Sequence, residues 1–175
     1  MTGPPVSPIS ICLAESEHLV EIPGIELAAA SMFAEADLPL SIRYKVTCMS
    51  DLKEALANGR LWVALHEGKP VGFALADVVD GSGYLDELDV RPEFTRLGIG
   101  TRLVSAVIEW ARGEKYPRVA LITFGHLAWN APFYEKLGFR IIDPREHGKE
   151  LAGLIREERR IGIDVAKRVA MCLDL

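Results

Sequence analysis

Between Tyr84 and Ala111 the hydrophobic period switches from extended to helical across a glycine turn, a change that few folds accommodate. Tyr84 to Val90 is a short strand-like run without a breaker, Pro92 interrupts it, and Gly98-Ile99-Gly100 opens the next element. Leu103, Val104, Val107, Ile108 and Ala111 recur at helix-face spacing, with Arg102, Ser105, Glu109 and Arg112 on the other side. Glycines at a helix start allow close backbone approach, and the free N–H groups there attract anions. The segment reads as a strand, a pyrophosphate-type turn and a helix.

The remaining elements arrange around it. Ile9, Ile11 and Leu13 alternate in a first strand over Ser7 to Ala14, and helical spacing follows to about Ala36, divided near Pro23-Gly24. Asp37 to Thr47 reads as a loop, and Ser50 as the N-cap of a short helix ending at Asn58-Gly59. Two apolar runs, Leu61 to Leu65 and Val71 to Val79, flank a turn and form a hairpin covered on both faces. Asp80 to Gly83 turns the chain into the Tyr84 strand as a third antiparallel neighbour. Beyond the glycine turn, Val119 to Phe124 is a buried strand parallel to it through a strand–helix–strand crossover. A short helix from Trp129 to Leu137, a strand at Phe139 to Ile142, a helix through Leu151 to Glu158 and a final strand ending at Leu175 complete the order. The fold class is α/β (α+β mixed): one domain over 1–175, with residues 1–8 flexible.

Net charge and cysteine usage exclude several functions. A formal charge of -5 on 175 residues lacks the basic footprint of nucleic-acid binding. No apolar run approaches the roughly 20 residues that span a bilayer, and no secretory leader pattern opens the chain. The 3 cysteines and 4 histidines are scattered without ligand spacing, so no metal is expected. The cysteines read as buried, reduced thiols of a cytoplasmic protein.

The ligand of the turn is narrowed by elimination. A mononucleotide loop needs Lys-Ser/Thr after its second glycine, and here Thr101-Arg102 follow Gly100. A dinucleotide fingerprint needs a third glycine where Leu103 stands, and a carboxylate ending the next strand where there is none. The third pattern, Gln/Arg-x-x-Gly-x-Gly/Ala after a strand, resembles the acyl-CoA turn of the GNAT N-acetyltransferase superfamily. Thr95 stands at its Gln/Arg position, with Arg96 one place later. Asn130-Ala-Pro-Phe-Tyr-Glu-Lys-Leu-Gly-Phe139 is similar to the second signature of the same superfamily. Together they cover Leu61 to Phe139.

The resemblance implies a mostly antiparallel central sheet with one parallel β-α-β crossover, splayed to hold CoA. It implies acetyl-CoA as the acyl donor, its pyrophosphate held by Arg96, Leu97, Gly98, Ile99, Gly100 and Thr101. Backbone groups of Leu88 and Val90 would receive the pantetheine arm, and the Val90 amide would polarise the thioester carbonyl. Asn130 is a cofactor contact or a helix cap. Tyr134 is the candidate acid, because a phenol with pKa near about 10 can protonate a leaving thiolate. The implied reaction is N-acetylation of a primary amine by direct attack, and the alternative is a non-catalytic acyl-CoA sensor.

Glu87 is the candidate base. Alternation puts it on the opposite face of the strand from Asp86, with Asp89 and Tyr84 as further candidates. His126 is a water relay or a surface loop residue, and Trp129 is a packing residue or part of the acceptor wall. The resemblance implies that Met32, Phe33 and Glu35 face the acceptor pocket, while periodicity makes Met32 and Phe33 core residues first, and Glu35 or Asp37 would hold a cationic acceptor. The acceptor, a small-molecule amine or a protein amino group, stays open. A homodimer through the final strands is compatible with the pattern.

Overall fold

The computed structural model describes residues 8–175, so the expectation for residues 1–8 falls almost wholly outside them. A seven-stranded sheet runs in the order β1-β2-β3-β4-β5-β7-β6. Its strands are β1 (Ile9–Leu13), β2 (Leu61–His66), β3 (Lys69–Val79), β4 (Ser82–Val90), β5 (Arg118–Phe124), β6 (Arg140–Ile141) and β7 (Arg168–Asp174). Only β4 and β5 pair in parallel, as the crossover predicts; every other neighbour is antiparallel. The hairpin strands are buried on both faces, which explains their continuous apolar runs.

The helices are α1 (Ile22–Ala30), α2 (Leu40–Arg43), α3 (Met49–Ala57), α4 (Ile99–Gly113), α5 (Ala131–Lys136) and α6 (Lys149–Arg160). On α4, Leu103, Val104, Val107 and Ala111 are buried against β2, β3 and β4, while Arg102, Ser105, Glu109 and Arg112 stay outward. On the other face, α1 and α3 cover Val63, Phe73 and Leu75. The two layers keep the centre of β4 between them.

Several local expectations are corrected. Helix α1 ends at Ala30, earlier than its apolar spacing suggests, and Pro23 sits in its first turn, where a missing N–H costs nothing. Met32 is therefore an exposed residue rather than core. The Asp37–Thr47 loop contains the one-turn helix α2. Helix α3 is capped at Cys48, two residues before Ser50. Of the three thiols, Cys172 is buried, Cys12 is half-buried and Cys48 is exposed. Strand β7 lies between β5 and β6, and on its outer edge β6 pairs only with Met171 and Cys172.

Candidate functional site

Two features of β4 create the site. Its pairing with β5 is limited to Gly83 with Val119 and Tyr84 with Ala120, after which the strands diverge and leave the β5-facing edge of β4 open. Its pairing with β3 shifts register between Leu75 and Ala76: Leu75 faces Glu87 and Ala76 faces Leu85, so Asp86 is the extra residue of a β-bulge. The bulge breaks the alternation, and the expectation of opposite faces for Asp86 and Glu87 is wrong: both border the same cavity.

A cavity of about 520 Å³ lies on the α4 side of the split. Its floor is the turn: Arg96, Gly98, Ile99, Gly100 and Thr101 line it together with Leu88 and Val90. Arg96 and Gly98 adopt left-handed φ values of 62° and 74°, which fold the turn beneath the helix. The first intrahelical bond of α4 runs from the Arg102 amide to the Gly98 carbonyl (3.1 Å), so the N–H groups of Ile99, Gly100 and Thr101 have no partner within the helix. They aim, with the helix dipole, at whatever anion the turn receives. Leu97 departs from expectation. Its side chain is exposed and does not line the cavity, because the turn points it outward. The Thr95 hydroxyl donates to the Pro92 carbonyl at 2.8 Å and thus braces the turn from within.

The two sequence motifs touch at this floor. A Cβ added to Gly100 would lie 3.3 Å from the Phe133 ring, so the second glycine is what lets α5 close against α4. Tyr134, the next residue, is buried, and its ring packs edge-on to Phe133 and Phe139. Asn130 occupies the N-cap position of α5, yet its side chain does not cap; its Oδ1 accepts from the Thr123 hydroxyl at 2.6 Å. Sequence reasoning missed Thr123, although it is the polar residue within an otherwise apolar strand core.

A second cavity, of about 390 Å³, opens on the opposite side of β4, between α2 and α6. Phe33, Leu88, Asp89, Asn130 and Tyr134 line both cavities, so the split between β4 and β5 is where they meet. Asp86, Glu87 and Asp89 border the second cavity, and their carboxylates make no hydrogen bond or ion pair with any described residue. Burial is the first cause pushing the Glu87 carboxyl well above its usual range, followed by the charges of Asp89, Asp86 and Glu26; Arg168 acts in the opposite sense. Asp89 is raised too, by burial and then Glu26, while the more exposed Asp86 rises to about 6 through loss of hydration at its carboxyl and then Asp77. Tyr134 is also held above the usual phenol range by burial, then by Glu87 and Asp89. Tyr84 is buried on the same side and is raised for the same first reason.

The other residues singled out by sequence have structural partners. The Asp37 carboxylate accepts from Lys167 Nζ and lies against His126 Nε2, each at 2.9 Å, which holds it below its usual range and occupies both residues. Glu35 is exposed and borders neither cavity. Phe33 packs against Phe124 (5.5 Å) and Trp129 (6.4 Å), making an aromatic rim beside the first cavity. Sequence reasoning also missed Arg168, whose guanidinium is gripped by Glu158 at 2.6 Å and stacks 4.4 Å over the Phe124 ring. No signal in the chain order joins these residues. Among the described residues no cluster of His, Cys, Asp or Glu is arranged to hold a metal ion, and no helix is long and apolar enough to cross a membrane.

Comparison with known proteins adds an independent line. The sequence profile described as "Acetyltransferase (GNAT) family" matches residues 29–139, more than half of the chain. The chain is 32% identical over 90 residues to "Uncharacterized N-acetyltransferase YafP" of Escherichia coli (strain K12), covering 51% of this chain and 52% of that protein. It is 33% identical over 86 residues to "Probable N-acetyltransferase camello" of Xenopus tropicalis, covering 47% of this chain and 39% of that protein. The chain thus spans about half the length, or less, of these curated relatives. Among solved structures, the PaiA N-acetyltransferase of Thermoplasma acidophilum in complex with coenzyme A has a TM-score of 0.70 at 16% identity, covering 96% of this chain and 99% of that one. The N-acetylglutamate synthase of Neisseria gonorrhoeae, complexed with coenzyme A and N-acetyl-glutamate, has a TM-score of 0.69 at 19% identity over 97% of this chain and 35% of that one. At these identities the likeness is one of fold.

Proposed function

The chain belongs to the acetyltransferase (GNAT) family, and from that premise we propose that it transfers an acetyl group from acetyl-CoA to a primary amine by direct attack. The observation that carries this reading is the position of Tyr134, which lines both cavities where the strands split. The donor enters the α4 cavity and the amine enters the opposite one. Residues 1–175 act as one catalytic unit, and the free thiols suit a reducing compartment such as the cytoplasm.

The donor supplies an activated thioester carbonyl and a thiolate leaving group. The unpaired amides of Ile99, Gly100 and Thr101, with Arg96 beside them, fit its pyrophosphate. The open edge of β4 at Leu88 and Val90 offers backbone groups to the pantetheine arm, and the Val90 amide would polarise the carbonyl. Asn130, fixed by Thr123, borders the meeting point. An alkyl ammonium with pKa about 10.4 must lose a proton before it attacks, and Glu87 is the group to take it. Its raised pKa makes it a stronger base than an ordinary glutamate. No cysteine borders either cavity, so transfer needs no acetylated enzyme.

Released thiol, followed during incubation of acetyl-CoA with a broad amine library, tests the reading. Turnover with at least one amine is expected. CoA binding without thiol release from any amine would leave the chain as a non-catalytic acyl-CoA sensor. The donor site has its own check. CoA at a hundred times its Kd should stabilise the protein by about 2.7 kcal/mol. Gly100→Val drives a branched side chain into Phe133, which a Cβ alone already meets at 3.3 Å, and should remove most of that stabilisation in a thermal-shift titration.

A further inference from the structure

The second cavity contains charges of both signs, and some are already paired inside the protein. Arg168 is paired with Glu158, and Glu157 with Arg160. Glu26 receives the Thr47 amide and hydroxyl. Without ionic partners at this cavity are Glu26, the β4 carboxylates Asp86, Glu87 and Asp89, the ammonium of Lys45 and the guanidinium of Arg43 on α2.

Arg43 is bonded but not neutralised. Its Nη2 donates to the carbonyls of Phe33 (2.6 Å) and Leu38 (3.2 Å), both uncharged acceptors, which clasp the loop after α1. Its Nε is buried and has no partner. No carboxylate among the described residues pairs with it. A guanidinium carries five N–H donors in a planar fork matched to a carboxylate, and a half-buried cation without a counter-ion is costly to keep. The cavity therefore has acidic groups without counter-ions on its β4 wall and, on its α2 wall, a guanidinium without a counter-ion whose Nη1 makes no hydrogen bond to any described residue.

We propose that the acetyl acceptor is an amino acid, its amine set against the β4 carboxylates and its carboxylate bound by Arg43. This deepens the acetyltransferase reading above and rests on it. A carboxylate-free amine would leave the Arg43 charge unanswered, and a diamine would bring a second positive charge toward it. A zwitterion satisfies both walls. The solvent-exposed Lys45 borders the same cavity and adds to the positive side.

The test compares matched acceptors under saturating acetyl-CoA: free amino acids, their carboxamides, and amines without a carboxylate, such as lysine, lysinamide and 1,5-diaminopentane. The free amino acid should be preferred in kcat/KM by about ten- to a hundredfold, the range expected for a charge-assisted hydrogen bond. Arg43→Gln should bring the acid-to-amide ratio close to one, chiefly through KM, and Arg43→Lys should restore part of it. Wild-type enzyme that uses the amide or the diamine as well as the acid overturns the proposal while leaving the acetyltransferase reading intact. So does an Arg43→Gln variant that slows every acceptor alike, since the arginine is then a loop clasp alone. Thiol release from no amine at all, with CoA bound, overturns both readings.

Discussion

Tyr134→Phe should lower kcat by about two to four orders of magnitude, the usual contribution of a positioned proton donor or acceptor. CoA affinity and thermal stability should stay near wild type. The substitution removes one hydroxyl, which makes no hydrogen bond to any described residue. The ring keeps its edge contacts with Phe133 at 4.9 Å and Phe139 at 5.8 Å, so packing is not the variable. Burial and nearby carboxylates hold the phenol above its usual range, so it is protonated throughout the pH range of an assay. It follows that no limb of the pH–rate profile belongs to Tyr134. Single-turnover thiol release, measured beside CoA binding by calorimetry, separates the outcomes. A variant with wild-type turnover would remove Tyr134 from the mechanism.

Glu87→Gln should produce a comparable fall in turnover together with a gain in stability at alkaline pH. In the wild type the Glu87 carboxyl is raised above the 4.5 of an unstrained glutamate, so the folded state retains a proton that the unfolded state has released. The stability this group contributes is present at low pH, and it is lost as pH rises through the raised value. Glutamine cannot ionise and escapes that loss. Urea denaturation across the pH range should show the variant overtaking the wild type on the alkaline side. The kinetic counterpart is an ascending limb in kcat/KM that flattens in the variant. If stability rises while turnover is untouched, Glu87 is a half-buried acid without a catalytic role, and Asp89, also raised and bordering both cavities, takes its place as base.

The fold was largely legible because its signals are local. The strand–glycine turn–helix segment, the hairpin of β2 and β3, and the crossover to β5 each depend on periodicity within a short window. Ile99 to Ala111 shows this well, since its apolar spacing alone places the buried face of α4. Element ends were less legible. Helix α1 stops at Ala30 although its apolar spacing continues to Phe33, which packs on Phe124 and Trp129 from beyond the helix end. Within the site, the turn and Tyr134 were reached through paired motifs. Their physical connection, Gly100 against Phe133, is a distance between residues more than thirty positions apart.

Strand β4 marks the boundary between the two kinds of information. Its identity as a strand and its place before an anion-binding turn were set by residue order, since hydrophobic period, Pro92 and the glycines act within a few residues. Which of its carboxylates share a cavity depended on the bulge at Asp86, and a bulge arises from pairing with β3, not from β4 alone. The open edge at Leu88 and Val90 likewise exists because β4 and β5 part after Tyr84. Arg43 drew no notice in the chain, where it is one of two cations between Asp37 and Thr47. Its significance comes from lacking a counter-ion across a cavity from Asp86, Glu87 and Asp89. Charge balance within a cavity is a property of groups brought together through space, and only the folded chain brings these together.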